Sequence, residues 1–169
     1  MGYDKTILHV DDDPITTQMV ALQLRPLGYD VTSLNDPTQT LWMLSQSHYR
    51  LIILDIDMPQ VNGLDLLRQI KHTDGGTQVI MLTGLLSTQT LLQSYRWGAE
   101  FCIFKPLTSI TPLAEAIEMV FHKIEHWWNA LEELSRQRHA TRDTAERSLP
   151  PMSSETSGQI AIAPTLSHR

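Results

Sequence analysis

LIILDIDMPQVNG, residues 51–63, sets a strand-sized apolar run directly against two carboxylates. Leu51, Ile52, Ile53 and Leu54 read as a fully buried strand, the kind found inside a parallel sheet. Asp55 ends it, Asp57 follows two residues later, and Pro59 and Gly63 mark a turn. Ionised side chains are costly beside a core unless something compensates them. The run therefore predicts a strand that leads into a site.

Outward from this stretch, short apolar runs alternate with helical patterns, the mark of a parallel sheet with crossover helices. Strands are predicted over 6–10, 29–34, 51–54, 79–82 and 101–104. Helices are predicted over 14–24, with Ile15, Met19 and Leu22 on one face, and over 38–47 behind an Asp36-Pro37 start. Leu64, Leu67 and Ile70 mark a third helix, and 90–97 a short fourth. From Ile110 the apolar positions Leu113, Ile117, Val120, Ile124, Trp127, Leu131 and Leu134 step by threes and fours, longer than a small sheet can cover. The chain thus divides into one α/β domain over 4–125, a helical extension over 126–138 whose Trp128, Leu131 and Leu134 would form a dimer or partner seam, and a Ser-, Thr- and Pro-rich tail over 139–169 expected to be disordered.

Composition narrows the function. The chain has 169 residues, a formal net charge of −6 and 41 % hydrophobic residues, so a nucleic-acid partner is not expected. The apolar runs are too short for a membrane span and the N-terminus lacks a secretory pattern, which predicts a cytoplasmic protein without a membrane partner. One cysteine, Cys102, cannot build a disulfide framework or a metal knuckle. The seven histidines suggest no cluster, and His122 and His126, four apart, read as a surface face.

In a doubly wound sheet the C-terminal ends of the strands open onto one edge, where ligands bind. Asp11-Asp12-Asp13, Asp55, Thr83 and Lys105-Pro106 all fall at such ends. Asp13, just before Pro14, also suits a helix cap. Clustered carboxylates with no His or Cys ligand suit a hard cation such as Mg²⁺. Lys105 supplies a mobile positive charge and Thr83 a hydroxyl, parts that suit a phosphoryl group in transfer. A carboxylate placed there can itself be the nucleophile.

VDDDP at 10–14, LDIDMPQVNG at 54–63, MLTG at 81–84 and FKP at 104–106 resemble, in order and spacing, the motifs of two-component response-regulator receiver domains. The resemblance covers about residues 4–125. It implies a flavodoxin-like, doubly wound five-stranded parallel sheet of order 2-1-3-4-5 with an extended C-terminal helix. It further implies Asp55 as phosphoacceptor, Asp11 and Asp12 as holders of Mg²⁺, and the backbone carbonyl of Asp57 as a further metal ligand. Thr83 and Lys105 would meet the phosphoryl group, and the Lys105–Pro106 peptide would be cis. The phosphoryl donor would be a histidine kinase or phosphotransfer protein, and output would pass through contacts with a downstream protein. Such a chain is not an enzyme on a separate substrate; it assists its own phosphoryl transfer and hydrolysis. One position departs. The family's switch aromatic stands three residues before the lysine, where this chain has Cys102, with Phe101 on the opposite side of the strand.

A haloacid-dehalogenase-type phosphatase uses similar parts, but its Asp-x-Asp comes first and its acidic pair last. Here Asp11-Asp12 precede Asp55-Ile56-Asp57, which excludes it. A receiver-like scaffold that is never phosphorylated is the alternative, kept open by Cys102. A fragment of a longer regulator would read the same.

Overall fold

The structure, a computed structural model, describes residues 5–84 and 87–147, with side chains to residue 138. In chain order the elements are β1 (Thr6–Val10), α1 (Pro14–Leu24), β2 (Asp30–Leu34), α2 (Thr40–Gln46), β3 (Leu51–Leu54), α3 (Gly63–Thr73), β4 (Gln78–Thr83), α4 (Thr88–Arg96), β5 (Phe101–Phe104) and α5 (Thr111–Arg147). Each strand pairs in parallel with its neighbours in the order β2-β1-β3-β4-β5. This is the doubly wound sheet that the alternation of runs and helices predicts. The chain forms one compact unit as far as Trp127 and a second from Trp128.

Strand side chains alternate between two faces, and each face has its own core. Ile7, Ile53, Ile80 and Leu82 pack with Val20 and Leu24 of α1 and with Leu113, Ile117, Val120 and Phe121 of α5. Leu8, Val10, Ile52, Leu54, Val79 and Met81 pack on the other side with Leu64, Leu67 and Ile70 of α3. Local signals start the helices, at Asp13 and Asp36 as the sequence suggests. The Asp13 carboxylate accepts the Ile15 N–H at 2.9 Å to cap α1, and Asn62 accepts the Leu64 N–H at 2.9 Å to cap α3. Asp36 caps a 3₁₀ turn, Pro37–Gln39, that leads into α2.

The face of α1 corrects the sequence reading. Ile15 and Leu22 are 77 % and 71 % exposed, while Thr17, Val20, Ala21 and Leu24 are buried. The true stripe has the same threes-and-fours spacing but begins on a threonine, which a polar-apolar pattern scores as outward. Thr17 is tolerated inside because its hydroxyl donates to the Pro14 carbonyl at 3.2 Å and accepts from Asn35 Nδ2 at 3.0 Å.

Helix α5 runs to Arg147, so the described start of the expected tail is helical; residues 148–169 lie outside the described residues. Along α5, Trp128, Leu131 and Leu134 are exposed. Among the described residues no helix is long and apolar enough to cross a membrane.

Candidate functional site

The strand ladder continues one residue past β1, β3 and β5 and carries the polar residues with it. The Asp55 N–H donates to the Val10 carbonyl at 3.0 Å, the Asp11 N–H to the Leu34 carbonyl at 3.2 Å, and the Lys105 N–H to the Thr83 carbonyl at 2.9 Å. Asp11, Asp55 and Lys105 are thereby fixed side by side at one edge of the sheet. The loop after β3 is closed just as firmly. The Gly63 N–H donates to the Ile56 carbonyl at 2.9 Å, and Asp57 bridges Asn62. Gly63 lies so close that a Cβ there would come within 1.9 Å of the Asp55 carbonyl oxygen. Gln60 takes the strain of the turn with φ at 69°.

Lys105 is the centre of the arrangement. Its Nζ lies 2.7 Å from Asp11 Oδ2 and 2.9 Å from Asp55 Oδ2. The second oxygen of each carboxylate is held by backbone: Asp55 Oδ1 accepts the Ile56 N–H at 2.7 Å, and Asp11 Oδ1 accepts the Asp13 N–H at 3.0 Å. Asp12 stands partly exposed at the mouth, and one ligand atom each from Asp11, Asp12 and Asp55 fall within 4.8 Å of one another. Three carboxylates thus face one ammonium.

Burial pushes the Asp11 carboxyl above its ordinary range; Lys105 and the Asp13 N–H work against that rise, and the charge of Asp55 adds to it. For Lys105, burial alone would lower the pKa, but its bonds and charge contacts with Asp11 and Asp55 outweigh it and hold the ammonium above its ordinary value. The donor set consists of oxygens alone, has negative charge to spare, and opens at Asp12. It fits a small hard divalent cation, which keeps several waters and takes few protein carboxylates.

Of the residues singled out from the sequence, Asp11, Asp12, Asp55 and Lys105 are brought together. Thr83 is buried at the end of β4, on the strand that neighbours Lys105. The Asp57 side chain is exposed and outside the carboxylate cluster. The Lys105–Pro106 peptide is cis. Cys102 is half-buried and packs on the α3 side of the sheet, while Phe101 packs on the α5 side. Burial raises the Cys102 thiol above its ordinary pKa, with a bond to Ser94 opposing the rise, so it is a poor nucleophile. The aromatic that shares the Cys102 side of β5 is Phe104, which pairs in register with Thr83 and is 40 % exposed.

His9 was not legible as part of this site. It is fully buried on β1, and its Nε2 lies 3.9 Å from Asp11 Oδ2. Burial, with the charge of Lys105, lowers its pKa to about 3, so the imidazole is neutral. A usable signal was present: a histidine in an otherwise apolar strand, two residues before an acid and so on the same face.

Residues 7–118 match the model of the response regulator receiver domain. The chain is 35 % identical over 103 residues to the sensor protein EvgS of Escherichia coli O157:H7, covering 61 % of this chain and 9 % of that one; it spans only a small part of that relative's length. Among solved structures it is similar to a response regulator receiver domain protein of Methanospirillum hungatei JF-1, at 27 % identity and a TM-score of 0.67, covering 73 % of this chain and 99 % of that one. It is also similar to the response regulator TrrA of Thermotoga maritima, solved in complex with Mg²⁺ and beryllofluoride, at 28 % identity and a TM-score of 0.63, covering 69 % and 98 %. With the sheet order, the strand-end residues and the matched region in agreement, the chain belongs to the response regulator receiver domain family.

Proposed function

We propose that this chain is a phosphorylation-controlled receiver in which Asp55 accepts a phosphoryl group. The observation that carries the reading is Lys105 bridging Asp11 and Asp55 at 2.7 and 2.9 Å beside a three-carboxylate cluster. An Asp55 carboxylate oxygen attacks phosphorus. The bond from phosphorus to the donor's leaving atom breaks, and its electron pair departs with the donor. Lys105 neutralises the phosphoryl oxygens and the Thr83 hydroxyl donates to one of them, so the chain's part is positioning and charge compensation. Asp11, Asp12 and Asp55, with the Asp57 carbonyl, would hold Mg²⁺, which supplies further neutralisation of the phosphoryl charge. The Mg²⁺ and beryllofluoride of the Thermotoga relative support that cofactor. Hydrolysis by water at the same phosphorus returns Asp55 to its resting state.

The donor is a histidine kinase or phosphotransfer protein. Ile15 and Leu22 support this: two large apolar side chains stand exposed on the helix that starts directly after Asp11–Asp13, an apolar foothold next to the site. Output runs through protein contacts, and Trp128, Leu131 and Leu134 on α5 are the seam of a homodimer. In a heptad that places Leu131 and Leu134 at the core positions, the e and g positions Ala130, Ser135 and Gln137 are uncharged, so two copies of the helix meet there without like-charge repulsion.

The reading is tested by intact mass after incubation with Mg²⁺ and acetyl phosphate. Wild type gains one phosphoryl group and Asp55→Asn gains none; equal gain by both moves the acceptor to another residue, and none by wild type favours the unphosphorylated scaffold.

A further inference from the structure

β1 reads TILHV, and its histidine is out of place among buried apolar neighbours. His9 is 0 % exposed, and neither Nδ1 nor Nε2 finds a hydrogen-bond partner among the described residues. Asp11 Oδ2, at the same spot, is also without a bond of regular geometry; it has the Lys105 ammonium at 2.7 Å as an ion pair and His9 Nε2 at 3.9 Å. Both ring nitrogens of His9 are thus left without a bond beside an Asp11 oxygen whose close partner is the Lys105 ammonium. Buried polar groups are nearly always satisfied, and a cluster of exceptions asks for a reason.

Lys105 supplies it. The same Nζ serves Asp11 and Asp55, so it cannot follow a phosphoryl group on Asp55 without loosening its hold on Asp11. A buried carboxylate that exchanges this ammonium for a metal ion on one side still needs a donor for its remaining lone pairs, as metal-binding carboxylates generally have one. His9 Nε2 lies roughly 1 Å outside bonding distance. His9 and Asp11 are two apart on β1 and share a face, so side-chain rotation can close the gap. The backbone need not move, and it is held: β1 is paired on one side with β2 and on the other with β3.

We propose that His9 is a positioning residue, resting on the reading of Asp55 as acceptor: its Nε2–H takes over Asp11 Oδ2 when Lys105 turns to the phosphoryl group. The bond is unmade in the resting state and made in the phosphorylated one. His9 therefore costs the resting state stability and favours the loaded state. It also fixes Asp11 from behind, as outer groups orient metal-binding carboxylates generally. Leucine in its place fills the strand position but can do neither.

The test uses the full chain with His9→Leu, His9→Gln and His9→Met, followed by thermal unfolding with and without Mg²⁺ plus beryllofluoride as the phosphoryl stand-in. His9→Leu should melt higher than wild type when unloaded, yet bind Mg²⁺–beryllofluoride about tenfold more weakly, within the range seen for lost outer-shell partners. His9→Gln, which retains an N–H donor, should recover most of that affinity. If His9→Leu does not fold, the comparison of Gln with Met carries the same contrast. Equal affinity in all variants, with wild type phosphorylated on Asp55, overturns the proposal and leaves His9 as packing. A wild type that neither takes a phosphoryl group nor binds the stand-in overturns the reading of Asp55 beneath it.

Discussion

Gly63 shows how strictly single residues hold this site. An alanine Cβ would lie 1.9 Å from the Asp55 carbonyl oxygen and 2.7 Å from the Ile56 Cα, both backbone atoms that cannot swing aside. Gly63→Ala should therefore cost about 3 kcal/mol or more of stability, measured by urea unfolding, and should slow phosphorylation because the clash falls on Asp55 itself. An unchanged midpoint would contradict the close packing of this loop. At the far end of α3, Asp74 accepts from the Gly76 N–H and the Thr77 hydroxyl, both at 2.8 Å, and these bonds lower its pKa below 3.8. A carboxylate depressed in the fold adds stability above its unfolded pKa and loses it as pH falls through the folded one. Asp74→Ala should be less stable than wild type by about 1 kcal/mol at pH 7, with the gap closing below pH 3.8. A gap that persists into acid would show that the carboxylate charge is not the cause. Asp55, Asp11 and Lys105 were legible in the sequence because strand ends are legible. His9 was not, because its meaning lies in a distance to Asp11 and in the partners it lacks.

Elements were legible wherever their signals were local. The caps at Asp13 and Asp36, the apolar runs and the α3 stripe all follow from neighbouring residues. The face of α1 was not, because the helix carries two apolar stripes and only packing against the sheet selects the one containing Thr17. β5 raises a related point. Cys102 leaves the Thr83 side of that strand without the usual aromatic at its position, and Phe104, in register with Thr83, is the aromatic that the strand presents there. For α5, the homodimer reading makes Leu131 and Leu134 the core of the seam. Light scattering on the full chain should give a dimer for wild type and a monomer for Leu131→Ser with Leu134→Ser, with the melting of the α/β unit unchanged. A monomeric wild type would end that reading. The ion pairs of Arg136 with Glu132 at 3.1 Å and Glu133 at 3.6 Å are exposed, so they add little to the helix.

At the scale of the molecule, the sheet order converts four separated segments into one site. β1 and β3 are neighbours, β4 lies beside β3, and β5 closes the edge. Residues 11, 55, 83 and 105 thus reach the same rim although almost a hundred positions separate the first from the last. That convergence was legible from the alternation of strands and helices, since the topology of parallel sheets leaves little choice of edge. The sharing of one lysine between two carboxylates was not, because it is a matter of side-chain geometry. The central claim is that this rim exists to phosphorylate Asp55. Its most direct test is chemical localisation: wild type treated with acetyl phosphate and Mg²⁺, reduced with borohydride, and digested for peptide mapping. Borohydride converts an acyl phosphate to the corresponding alcohol, so homoserine at position 55 is the predicted result. Homoserine at Asp11, Asp12 or Asp57 instead, or at no position, would contradict it.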